Sequence, residues 1–181
     1  MKSLFAAALM LSAGVSFSAD VDPLIQKNRD LAAYERQKPA WKIKEEEEAE
    51  AIKMKSFDPG TVGRKVFVFA SELDYYISRA AMVAVLYQDT PCQLPILQAK
   101  ILHAAESLYG RALVPACWGH LVTPTKDEVA IFTKFGDARK ESLLNYVDGV
   151  IQSDGSAKYV KRAMSIDEFN KNVQEFHKEI R

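Results

Sequence analysis

Four side chains in the middle of the chain, Cys92, His103, Cys117 and His120, are of the types that hold soft metals or serve as nucleophile and base. Two thiolates and two imidazoles are enough for a tetrahedral zinc or soft-metal site, and Cys117-Trp118-Gly119-His120 supplies a short ligand spacing. A second Cys-x-x-Cys or His-x-x-x-His pair, which would sharpen that reading, is missing from the sequence. A thiol nucleophile is the next possibility, with Cys92 or Cys117 attacking and His120 as base. It requires a free, low-pKa cysteine near a helix start, and Cys92 does stand just before Pro95. A thioredoxin-type redox pair would want Cys-x-x-Cys. The carboxylates Asp127, Glu128, Asp137 and Glu141 fall at turn or helix-start positions, where capping accounts for them. Ser153-Asp154-Gly155 reads as a turn, and the 8 glycines are scattered rather than gathered into a phosphate loop. Tyr75-Tyr76 and Trp118 could stack on a ligand, although aromatic residues near a disulfide are usually core. No cofactor is implied by any of these patterns.

The first residues set the redox context of those cysteines. Met1-Lys2-Ser3 is a basic start, Leu4 to Leu11 is apolar, and no acidic residue occurs before Asp20. Ser16-Phe17-Ser18 places small side chains where a signal peptidase inspects them, so residues 1–18 read as a signal peptide cleaved after Ser18. The apolar stretch is shorter than the roughly 20 residues needed to span a bilayer core. The mature chain is therefore expected in the periplasm or outside the cell, without a transmembrane segment. In such a compartment an even pair of cysteines is most simply one disulfide. Closing that loop of about 26 residues stabilises by roughly 3–4 kcal/mol on the chain-entropy account. The sulfurs would then be lost to metal binding and to catalysis.

Length and charge narrow the rest. About 163 residues follow Ser18, enough for one domain with a real core. The whole chain carries 24 basic and 24 acidic side chains. Losing Lys2 leaves the mature part near neutrality, which gives no general attraction to nucleic acid or anionic membrane.

Residues 19–60 read as a charged arm, helical or flexible. Asp22-Pro23 is a good helix start, Glu45 to Glu48 form an acidic run, and Asp58-Pro59-Gly60 is a turn that marks the boundary. Trp41 is the natural anchor if the arm orders on a partner. Residues 61–181 read as a single α+β domain. Val66-Phe67-Val68-Phe69 suits a buried strand. Ser71 and Asp74 could cap a helix carrying Leu73, Tyr76, Ile77 and Ala80; Met82 to Tyr87 suits either its continuation or a buried strand from about 81 to 88, which the turn residues Gln88 to Pro91 favour. Pro95 to Gly110 has the spacing of a helix. A bent strand over 112–122, an alternating one over 128–135 and a short helix over 138–146 follow. Val150 to Lys161 resembles a hairpin around Asp154-Gly155. Ser165 and Glu168 form a capping box for a last helix, whose stripe is Ile166, Phe169, Val173, Phe176 and Ile180.

Val85-Leu86-Tyr87-Gln88-Asp89-Thr90-Pro91-Cys92, then Ala116-Cys117-Trp118, then Val129-Ala130-Ile131-Phe132 resembles a group of small exported proteins of bacteria and their prophages. In these a strand ends in Pro-Cys, a Cys-Trp follows, and an alternating strand comes next. The resemblance covers about fifty residues and implies a small sheet pinned by Cys92–Cys117 without supplying an activity. The chain departs from that pattern in a longer predicted helix between the cysteines, and in Gly136-Asp137 where the group has aspartate-glycine.

The expected architecture is a small, mostly antiparallel sheet covered by helices, with one disulfide and a charged N-terminal arm. The expected function is an exported, non-enzymatic binding or assembly protein. Its partner would be another envelope or secreted protein, met through Trp41, Phe169 and Phe176. The alternative is a small hydrolase or metal-binding protein built on Cys92, His103, Cys117 and His120.

Overall fold

Alternation of apolar residues decides most of the strands. The computed structural model describes Asp30, Ala33 and residues 38–180; the expected signal peptide and the Asp22-Pro23 helix start lie outside them. Strand β1 (Lys65–Ala70) buries Val66, Val68 and Ala70 on one side and half-buries Phe67 and Phe69 on the other. A strand apolar on both faces belongs in the middle of a sheet, and β1 pairs on one side with β3 (Met82–Pro91) and on the other with β8 (Val147–Ile151). The other strands are β2 (Tyr76–Ile77), β4 (His103–Tyr109), β5 (Ala112–His120), β6 (Glu128–Thr133), β7 (Ala138–Ser142) and β9 (Ala157–Arg162). Together they form one nine-stranded antiparallel sheet in the order β2-β9-β8-β1-β3-β4-β5-β6-β7. Helices α1 (Ala40–Met54) and α2 (Ile166–Glu179) complete an α+β fold.

Each face of the sheet has its own core. Val66, Val68, Val85, Tyr87, Leu113, Val147 and Ile151 make the first, against which Phe57 packs from the segment after α1. Leu86, Trp118, Val129, Ile131, Leu143 and Tyr146 make the second, against which Phe169 of α2 packs. Ser165 caps α2 by accepting a hydrogen bond from the Glu168 backbone N–H at 3.1 Å. Asn172 donates to the Thr125 carbonyl at 2.8 Å and fixes the helix on the sheet. Of the α2 stripe, Phe169, Val173 and Phe176 are half-buried, while Ile166 and Ile180 remain exposed.

Three expected helices are replaced by other structure. Pro95 to Gly110 is not a helix: residues 94–102 turn and make a short 3-10 segment, with Gln98 left-handed at φ 59°, and His103–Tyr109 is strand β4. His-Ala-Ala-Glu-Ser-Leu-Tyr has respectable helix propensity, but the slot between β3 and β5 offers it an unbroken ladder to β5 and an interrupted one to β3. Gly110, read as a helix stop, instead opens the two-residue turn between Tyr109 and Ala112 at φ 62°. Both roles use the same left-handed conformation, which is why one residue fits either. Residues 138–146 form edge strand β7 and a 3-10 turn at Leu143–Asn145 rather than a helix. Residues 71–81 hold the two-residue β2 and a 3-10 turn at Arg79–Ala81 in place of the helix expected from Ser71 and Asp74.

The hairpin around Asp154-Gly155 is present, with Gly155 at φ 79° and the Asp154 carboxylate accepting from the Ser156 N–H at 2.9 Å. The Ser156 hydroxyl, which donates to the same carboxylate at 2.7 Å, and then that N–H hold the Asp154 carboxyl below its usual pKa. The second half of the arm, residues 40–54, is helical, and its acidic run faces outward apart from Glu46, which is half-buried and pairs with Lys38 at 2.6 Å.

Candidate functional site

Glu106 stands in β4 opposite Val85 and Pro115 on the neighbouring strands, and its buried side chain enters the first face of the sheet, where a lone carboxylate would be costly. Two partners meet it there. Tyr87, from β3, donates its hydroxyl to Oε1 at 2.6 Å, and Arg79, from the 3-10 turn before β3, pairs with Oε2. Arg79 is 1% exposed. Its Nε reaches the Lys53 carbonyl at 3.4 Å and its Nη2 the Ser56 hydroxyl at 3.3 Å, so the end of α1 is drawn into the same cluster. Lys53 is also buried and donates to the backbone carbonyls of Ala80 and Met82, the latter at 2.8 Å.

The shifts in this cluster follow from its burial. Desolvation, then the charge and hydrogen bond of Glu106, push the Tyr87 hydroxyl well above its ordinary pKa. Desolvation, then the positive charge of Arg79, lower that of Lys53.

Beside this cluster opens a cleft of about 360 Å³, with Tyr87, Glu106 and Leu113 at its base. One wall is the segment after α1, with Ser56, Asp58 and Thr61; the other is the end of β3 and the loop after it, with Thr90, Gln93 and Leu94. The disulfide Cys92–Cys117, Cα atoms 5.4 Å apart, joins the second wall to the base. Cys92 immediately precedes Gln93 and Leu94, and Cys117 follows Pro115 and Ala116, which line the cleft. Both oxygens of Glu106 already accept hydrogen bonds, so the carboxylate acts as a fixed part of the floor. The cleft thus presents apolar surface from Leu94, Leu113 and Pro115 beside polar groups at its rim, a combination suited to gripping a small or extended group.

The residues singled out in the sequence are placed as follows. Cys92 and Cys117 are bonded to each other, which removes both thiols from a ligand set and from nucleophilic chemistry. His103 and His120 lie on the second face, each against Trp118, with ring centroids 5.2 Å and 5.1 Å from the indole. Among the described residues no group of three or more histidine, cysteine, aspartate or glutamate side chains is arranged to hold a metal ion. Trp41 is 68% exposed on α1. Phe169 is turned into the second core, and Phe176 lines a shallow cleft against Val122 and Pro124.

Arg79, Tyr87, Glu106 and Lys53 were not legible as a set. One signal was available, since a charged residue inside an apolar strand demands a partner. The helix spacing of Pro95 to Gly110 masks it, because it sets Glu106 on a helix face.

No family model, curated protein or solved structure matches the chain. Among the described residues no helix is long and apolar enough to cross a membrane.

Proposed function

We propose that the chain is an exported, non-enzymatic binding or assembly protein of an oxidising compartment, and that the cleft on the Glu106 face is its seat for a partner. The observation that carries this reading is the disulfide, which fixes the Gln93-Leu94 wall on the base of the cleft. A cleft whose wall depends on an oxidised cysteine pair belongs where such pairs persist, which is the periplasm or beyond. The signal-like composition of residues 1–18 supports the same compartment. The engagement of both Glu106 oxygens by Arg79 and Tyr87 supports binding over acid–base work, because it ties the carboxylate into the cleft floor. The partner is another envelope or secreted protein, presenting an extended segment with an apolar side chain.

Site-specific photo-crosslinking in producing cells tests this. A photoreactive residue at Gln93 should capture one discrete protein partner, and one at Lys178, on the exposed side of α2, should not. Equal labelling from both positions, or none from Gln93, would remove the cleft as the seat.

A further inference from the structure

Only three histidines occur in the chain, and two of them share one aromatic platform. The β4–β5 register sets His103 directly opposite Trp118, while His120 lies two residues beyond Trp118 on the same face of β5. The two histidines are therefore diagonal neighbours on adjacent strands. That relation separates backbones by about 7–8 Å, a span that two imidazoles can close on one ion. Their rings both lie against the indole. Trp118 cannot drift, being 2% exposed and donating its Nε1–H to the Tyr87 carbonyl at 2.9 Å. The backbone beneath is equally constrained: a Cβ on Gly119 would come within 2.8 Å of Leu102 Cδ2, so Leu102, which precedes His103, lies close against β5.

We propose that His103 and His120 together bind a divalent transition-metal ion, copper(II) by preference. Resting on a fixed indole, the imidazoles have part of their ordering cost already met, which favours chelation. His103 is half-buried and His120 is exposed, so an ion can reach both from solvent. With two protein ligands the remaining positions fall to water. Copper(II) heads the affinity order for nitrogen sites and accepts tetragonal geometry, whereas structural zinc is almost always held by four protein ligands. The site stands on the second face and uses nothing in the Glu106 cleft.

Copper(II) chloride titrated into the oxidised protein tests the proposal. In a Trp41→Phe background the Trp118 emission should quench saturably at one equivalent and recover with EDTA. His103→Gln or His120→Gln should weaken that quench by about a hundredfold, the loss expected when chelation becomes single-point attachment. His177→Gln should leave it unchanged. A second reading needs no substitution: in the unaltered protein the imidazole proton resonances of His103 and His120 should broaden together at substoichiometric copper, before those of His177. Broadening of His177 first, of only one of the pair, or a quench indifferent to both substitutions would overturn the site and leave the two rings as packing around an indole.

Discussion

The two faces of the sheet are built on different physics although they share every central strand. The first face closes around Arg79, Glu106, Tyr87 and Lys53, polar groups that are acceptable there because Glu106 pairs with Arg79 and Tyr87 while Lys53 donates to the Ala80 and Met82 carbonyls. The second closes around Trp118, Ile131, Leu143 and Tyr146, where Phe67 meets Trp118 edge-on at 5.7 Å. An ionic cluster fails abruptly when one member is removed, because the others are stranded in low dielectric; an apolar core loses stability by degrees. The cleft adjoins the first kind. Its shape is accordingly specified by a few interdependent side chains rather than by general hydrophobicity.

The contrast can be broken most forcefully at Glu106. Glu106→Ala should cost about 3–5 kcal/mol in urea unfolding by stranding Arg79, whereas Arg79→Met with Glu106→Leu should recover most of that loss. Additive single and double effects would mean the cluster does not act as a unit. Next in size, Cys92→Ala with Cys117→Ala should cost about 3 kcal/mol, and should loosen the Gln93-Leu94 wall, seen as faster amide exchange there than in β6.

Alkali gives a smaller, sign-specific test. Because Tyr87 keeps its proton in the fold to higher pH than in the unfolded chain, the unfolded state ionises first. Stability should hold below about pH 10 and fall as the pH climbs above it. Tyr87→Phe should flatten part of that fall; the Tyr146 hydroxyl, pushed up by burial and then by Glu141, adds a fall of the same sign, and Lys53, held below its usual pKa, opposes both. The smallest effect belongs to the apolar face, where Ile131→Val should cost about 0.5–1.5 kcal/mol without disturbing the cleft.

What the sequence revealed follows the same division. Val66-Phe67-Val68-Phe69, the alternation expected over 128–135, the Asp154-Gly155 turn and the Ser165 cap are local patterns, and each is found in the structure, the alternating strand ending two residues early at Thr133; the strand reading favoured near 81–88 over a continued helix is found too. Strand β4 was hidden because His103 to Tyr109 prefers helix locally and becomes a strand only through β3 and β5, whose pairing is non-local. Residues 138–142 were hidden likewise, since Ala-Arg-Lys-Glu-Ser has no apolar alternation and is held at the sheet edge by β6 alone. The cleft cluster could not be read at all without β4: moving Glu106 from a helix to a strand is what brings it to Tyr87 and Arg79. The disulfide, by contrast, needed only a count of cysteines and a compartment, and it is present.

Location and cleft meet in that one bond, so the most direct test is peptide mapping by mass spectrometry of protein taken from producing cells under non-reducing conditions. The Cys92 and Cys117 peptides should run as a single linked species, and the N-terminal peptide should begin at Ala19. Two cysteines that alkylate without reductant, on a chain still starting at Met1, would contradict both export and the oxidised wall of the cleft.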